Sequence, residues 1–125
     1  MNIIISLIGA SLATTMAAAA PLADDFWLIG NYTQNVPCKG DGSDPAEVKV
    51  QISTQSIDSK IGICTFIDTK EDGGNGKKSV KAHVECQFPA GPLMGDITFT
   101  MKPNNTIDFV DRDKTYTATL YRCPK

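Results

Sequence analysis

Residues 80–88 read Val-Lys-Ala-His-Val-Glu-Cys-Gln-Phe, with apolar and polar side chains in strict alternation. A period of two puts Val80, Ala82, Val84, Cys86 and Phe88 on one face of a strand and Lys81, His83, Glu85 and Gln87 on the other. A helix would scatter both sets around its axis. The pattern recurs at 47–52, where Val48, Val50 and Ile52 share a face, and at 97–101, where Ile97, Phe99 and Met101 do. Turn signals punctuate the chain at intervals of roughly ten residues, and no amphipathic helical period interrupts them. The chain therefore reads as all-β, with about seven to eight antiparallel strands. A sheet of that size closes into a small β-barrel or splits into a sandwich, and closure removes unpaired edges.

The connections are legible in the same way. A first strand is expected over 29–36, followed by a polar loop from Pro37 to Pro45. Short strands follow at 47–52, 56–58 and 61–68. Glu71-Asp72-Gly73-Gly74-Asn75-Gly76-Lys77 is the strongest turn signal, and the prolines of Pro89-Ala90-Gly91-Pro92 end the strand before them, because neither can donate to a ladder. Pro103-Asn104-Asn105 suits a three-residue hairpin loop with Asn105 left-handed, which sets Met101 opposite Ile107 and Phe99 opposite Phe109. A turn at Arg112-Asp113 then sets Phe109 opposite Tyr116 and Ile107 opposite Ala118. Residues 24–28 suit one helical turn that lays Trp27 over the end of the core.

The start of the chain has another character. No charged side chain occurs in the first twenty residues, and an apolar run over 3–16 is followed by Ala17-Ala18-Ala19-Ala20. Small residues at −3 and −1 suit a secretory cleavage site. Cleavage after Ala19 is expected, with 1–19 a signal peptide and 20–125 a single β-barrel domain. No later apolar run approaches the ~20 residues of a membrane helix, so no membrane insertion is expected after cleavage. Export, to a periplasm or to the outside, agrees with the cysteines. Four of them in a small exported chain suggest two structural disulfides among Cys38, Cys64, Cys86 and Cys123. Three connectivities exist. A hairpin centred near Asn75 sets Cys64 opposite Cys86 and Phe66 opposite Val84, leaving Cys38 to join Cys123. A half-step shift turns Cys64 outward and breaks that pairing.

Composition narrows function mainly by exclusion. Twelve Lys and Arg against fourteen Asp and Glu give a net charge of −2, without the basic excess of a nucleic-acid binder. No Rossmann fingerprint, phosphate-binding loop or serine-hydrolase elbow occurs, and no C-x-x-C pair supports a zinc ribbon or a redox motif. His83 is the single imidazole, placed outward between Lys81 and Glu85 with no nucleophile in a local motif. Asp41, Ser43, Asp44 and Glu47 form an oxygen-rich loop, but Pro45 stands at a ligand position of the EF-hand pattern and no closing Glu follows. No metal or cofactor is expected. Asn31-Tyr32-Thr33 and Asn104-Asn105-Thr106 match the N-glycosylation acceptor by chance if the Ala-rich leader is bacterial.

Candidate contact residues remain. Phe26 and Trp27 form the best aromatic pair for a partner, or else close the core. Asp41 and Asp44 lie in the first polar loop. Lys77 and Lys78 gather with Lys70 and Lys81 around one hairpin, where they could meet an acidic surface. Trp27 to Tyr32 (WLIGNY) holds a Gly-x-aromatic step after an aromatic lead-in, and the chain ends on a Cys-bearing strand (TYTATLYRC). Together these resemble the calycin-type small exported β-barrels, lipocalins and bacterial periplasmic inhibitors of proteases or lysozyme among them. Tyr32 stands where lipocalins typically have Trp. The chain also looks like small exported proteins of proteobacteria. The small rigid scaffold, the paired cysteines and the missing catalytic signature suggest a monomeric, non-enzymatic binding module, sharpest as a hydrolase inhibitor acting through loops at one barrel end on a protein of the envelope or host. The alternatives are a lipocalin-like small-ligand carrier, with a pocket among Tyr32, Phe66, Phe99 and Phe109, and a hydrolase.

Overall fold

The computed structural model describes residues 21–71, 76–89 and 91–124. The leader expected at 1–19 and the centre of the Gly-rich turn lie outside the described residues. Eight strands form one closed barrel in sequential order: β1 (Gly30–Gln34), β2 (Lys49–Ile52), β3 (Ser56–Ser59), β4 (Gly62–Glu71), β5 (Ser79–Phe88), β6 (Gly91–Met101), β7 (Ile107–Asp111) and β8 (Thr117–Arg122). Antiparallel pairing of β1 with β8 closes the ring, with Thr33 opposite Tyr121. The barrel settles the choice between closure and a sandwich.

Alternation drives the closure. Val80, Ala82, Val84 and Cys86 are all buried on β5, and their counterparts on the neighbouring strands, Phe66, Ile97 and Phe99, are buried with them. Phe99 anchors the interior. Its ring meets Phe66 edge-on at 6.5 Å and Phe109 edge-on at 5.3 Å, geometries that add to the value of burial alone. The first meander turn forms as its residues require: Lys102 N–H donates to Thr106 O at 2.8 Å, Asn105 sits at φ 67°, and Phe99 faces Phe109.

Four expectations need correction. β1 and β2 are shorter than the sequence suggests, and Ala46–Val48 forms a 3-10 turn rather than strand, so Val48 leaves the face of Val50 and Ile52. The strand before the Pro-rich stretch ends at Phe88 as expected, and β6 begins at Gly91, with Pro92 opposite Gln87. Pro92 lacks only an N–H, and it stands next to the last pair, Phe88 with Gly91. The second meander turn is two residues longer in register, with Phe109 opposite Ala118 and Ile107 opposite Leu120. Asp111 explains the longer turn: its carboxylate accepts Thr115 Oγ1–H at 2.5 Å and Tyr116 N–H at 3.0 Å, and Lys114 turns at φ 59°. A shift of two preserves the inward face, so Ala118 and Leu120 are still buried. Tyr116, expected opposite Phe109, is exposed yet still meets that ring edge-on at 5.6 Å. Finally, residues 23–29 form two successive turns, Phe26 N–H to Ala23 O and Ile29 N–H to Phe26 O, not a helix. Leu22 and Leu28 are the buried plugs of this segment, and Trp27 is only partly buried against the core.

The disulfides join Cys38 to Cys123 and Cys64 to Cys86. Cys64 stands directly opposite Cys86 and Phe66 opposite Val84, the register of a hairpin centred near Asn75. The ladder then slips. A bulge between Phe66 and Asp68 leaves Ile67 unpaired, so Asp68 meets His83 and Lys70 meets Lys81.

Gly62 shows how closely β4 and β5 approach at the barrel's other end. A Cβ there would lie 2.4 Å from Gln87 O and 2.4 Å from the Phe88 ring. Backbone cannot yield cheaply, so Gly62→Ala is expected to cost about 1–3 kcal/mol in urea unfolding. At Gly42, where a Cβ would meet nothing within 4 Å, the steric term is absent; only the φ of 83° weighs against Ala.

Candidate functional site

The up-and-down order assigns the connections to ends. Segment 21–29, the connections β2–β3, β4–β5 and β6–β7, and the C-terminus share one end; the remaining connections share the other. The first end is closed. Leu22 N–H donates to Thr54 O at 3.1 Å and Thr69 Oγ1–H to Pro21 O at 2.7 Å, which docks the segment onto the β2–β3 turn and β4. Arg122 reaches in from β8, donating to Trp27 O at 2.6 Å and Ile29 O at 3.2 Å. Its guanidinium lies 5.0 Å over the Tyr32 ring. Gly30 leaves room for that arm: a Cβ there would stand 2.8 Å from the Arg122 guanidinium. Phe26 and Trp27 stack at 5.2 Å and pack against the core beside this closure. They are anchored by it, with part of each ring accessible.

Tyr32 is the buried end of the same arrangement. Its hydroxyl donates to Leu28 O at 2.6 Å. Burial pushes its pKa up to about 12, against the opposing pull of the Arg122 charge. An acid whose proton is held more tightly in the folded state stabilises fully below its unfolded pKa near 10, and that contribution is lost as pH rises through about 12. Stability should therefore fall between pH 10 and 12, and a phenolate absorbance step near pH 12 in the folded protein should move to near 10 in urea. Tyr32→Phe should abolish both the step and its share of the alkaline slope. A wild-type protein with no phenol titrating that late contradicts this.

The first polar loop runs along the barrel wall. Thr33 Oγ1–H donates to Val36 O at 2.6 Å and Asn35 turns at φ 64°, so the chain folds back after β1, and Cys38 reaches Cys123. The loop walls a cleft of about 490 Å³ with Asn31, Gln51, Asp58 and Lys60. Its two aspartates part company. Asp41 is exposed; its carboxylate accepts Ser43 N–H and Oγ–H, which hold its pKa low. Asp44 is buried, accepting Lys39 N–H at 3.3 Å with Oδ2 3.4 Å from Cys38 Sγ, a contact without a proton because a disulfide sulfur carries none. Asp44, Cys38 and Cys123 offer three ligand-type atoms within 4.8 Å of one another. The bonded sulfurs are not thiolates, the form that holds metal.

A second cleft lies on the outer wall of β4–β7. It is a cleft of about 600 Å³ whose lining includes Lys70, Lys81, His83, Asp96, Arg112 and Lys114. His83 faces outward as its alternation requires, half-exposed, and its Nδ1 lies 2.7 Å from Asp96 Oδ1. Arg112 approaches the other Asp96 oxygen at 3.9 Å. The pair orients the imidazole; among the described residues no hydroxyl or thiol is hydrogen-bonded to it. Sequence reasoning missed Asp96 because the Pro-rich stretch concealed the start of β6. Lys77 and Lys78 are exposed on the β4–β5 connection, beside the strand ends that carry Lys70 and Lys81. No family model, curated protein or solved structure matches this chain.

Proposed function

We propose that this chain is an exported, non-enzymatic binding module that acts on another protein through its outer surface, with inhibition of a hydrolase as the sharpest form. The observation that carries the reading is where the side chains go. Tyr32, Phe66 and Phe99 fill the barrel interior, while both clefts of several hundred cubic ångströms lie on the outer wall. A small barrel leaves little interior space for cargo. Two disulfides within a single small domain support an oxidising compartment and a rigid scaffold. Rigid scaffolds lose little entropy on binding. The resemblance to calycin-type exported barrels is part of the same proposal.

The test uses the oxidised full-length mature chain immobilised on a support and challenged with envelope and host extracts. A protein retained with micromolar affinity or better, whose hydrolytic activity falls in proportion to the barrel added, supports the reading. Retention of no protein at micromolar concentration, or turnover of a hydrolase substrate by the barrel itself that Asp96→Asn or His83→Ala abolishes, contradicts it.

A further inference from the structure

The geometry points to the outer cleft of β4–β7 as a docking groove for an acidic segment of a partner protein, with Lys70 and Lys81 as its central contacts. This rests on the proposed binding role and specifies its chemistry.

The bulge in β4 creates the charge arrangement. Cys64 and Phe66 point inward on β4, so an unbroken alternation would carry Asp68 and Lys70 into the core. The extra residue, Ile67, reverses the parity, and Asp68 and Lys70 emerge on the outer wall, both exposed. Bulges re-aim side chains in this way, and they concentrate beside functional surfaces. Here the re-aimed Lys70 stands directly opposite Lys81. Like charges so placed are destabilising, with Cβ atoms roughly 4.5–5.5 Å apart. Among the described residues neither lysine has a carboxylate within salt-bridge distance. The far rim adds Arg112 and Lys114. The free protein thus holds an unfavourable pair of cations in the lining of this cleft, and an anion bridging them relieves the repulsion.

The carboxylates in the cleft lining, Asp68, Asp96 and Asp111, select among anions. Asp68 and Asp96 stand opposite His83 in the register, one on each side. They repel a polymer charged at every repeat. A polypeptide with acidic side chains spaced by neutral ones reaches the cations and avoids the aspartates.

Binding of a fluorescein-labelled hexapeptide of alternating Glu and Ala, followed by anisotropy, tests this on the oxidised mature chain. Saturable binding is expected at low ionic strength, about tenfold weaker in ~0.2 M salt as screening sets in, and absent for the Gln counterpart. Lys70→Glu should weaken binding at least tenfold, because the introduced carboxylate both repels the peptide and neutralises Lys81. The same change should raise Tm by about 2–5 °C, because it replaces a repulsive pair with an attractive one. Loss of binding with a gain in stability separates docking from misfolding. Equal binding by Lys70→Glu, no binding to the wild type, or polyphosphate binding through these lysines where the Glu peptide fails each overturns the assignment. If the peptide fails while the immobilised barrel still retains a partner, the groove assignment falls and the binding role stands.

Discussion

Replacing Cys38 and Cys123 together by Ala is expected to lower stability by about 4–5 kcal/mol, and replacing Cys64 and Cys86 by about 3 kcal/mol. The difference follows from the loops closed, with sequence separations of 85 and 22. In the unfolded chain the longer loop forbids more conformations, so its bond removes more entropy. The loops are nested, so the two effects overlap rather than sum. A domain of this size has only about 5–15 kcal/mol in total, and the Cys38–Cys123 bond represents a large share of it. At a urea slope of ~1–3 kcal/mol/M, a loss of about 4–5 kcal/mol should lower the midpoint by roughly 1.3–5 M. The bond also holds the 35–48 connection against the wall, so its loss should expose that loop to protease before the barrel opens. If the variants differ from wild type by less than about 1 kcal/mol, well under the loop-entropy values, the bonds are not braces of this fold.

Arg122→Ala is expected to cost about 2–4 kcal/mol, just under the ~3–5 kcal/mol for breaking a fully buried charge pair, because the arm is half-buried. Three losses combine. The carbonyls of Trp27 and Ile29 lose their donors, and a buried acceptor left unsatisfied costs about 1–3 kcal/mol. The Tyr32 ring loses the cation stacked on it. The closing segment loses its tie to β8 and keeps its packing, the Tyr32 hydroxyl's bond to Leu28 O, and the contacts to Thr54 and Thr69. Trp27 is the single tryptophan and reports this directly: its emission should shift to the red in the variant before global unfolding. Arg122→Lys should recover only part of the loss, because an ammonium cannot reach both carbonyls with the fork geometry of a guanidinium. A variant as stable as wild type, with unchanged Trp27 emission, contradicts this closure.

What the sequence made legible is what parity controls. Inward and outward faces on β5, β6 and β7 follow from alternation, and Cys64–Cys86 follows from alternation plus one hairpin centre. Even the misjudged turn after β7 erred by two residues, so every inward residue stayed inward. What escaped is what a single residue changes. Phe66-Ile67-Asp68 contains no Gly or Pro to announce a bulge, yet the slip there decides that Lys70 faces Lys81. Asp96 became His83's partner only because β6 starts at Gly91, behind a stretch whose prolines read as a break. Asp44 looked like its neighbour Asp41 in an acidic loop; only the Cys38–Cys123 bond, which folds the loop onto the wall, separates a buried staple from an exposed side chain. The arm of Arg122 is a contact across 95 residues to Trp27, and nothing local foretells it.

Every role proposed for this chain requires a closed barrel that stays oxidised outside the reducing cytosol. Non-reducing proteolysis and mass mapping of the protein taken from its native compartment tests this most directly. The expected result is two linked peptide pairs, Cys38 with Cys123 and Cys64 with Cys86, on a chain that begins at Ala20. Free thiols at all four positions, or a cross-link between the two pairs, would contradict it.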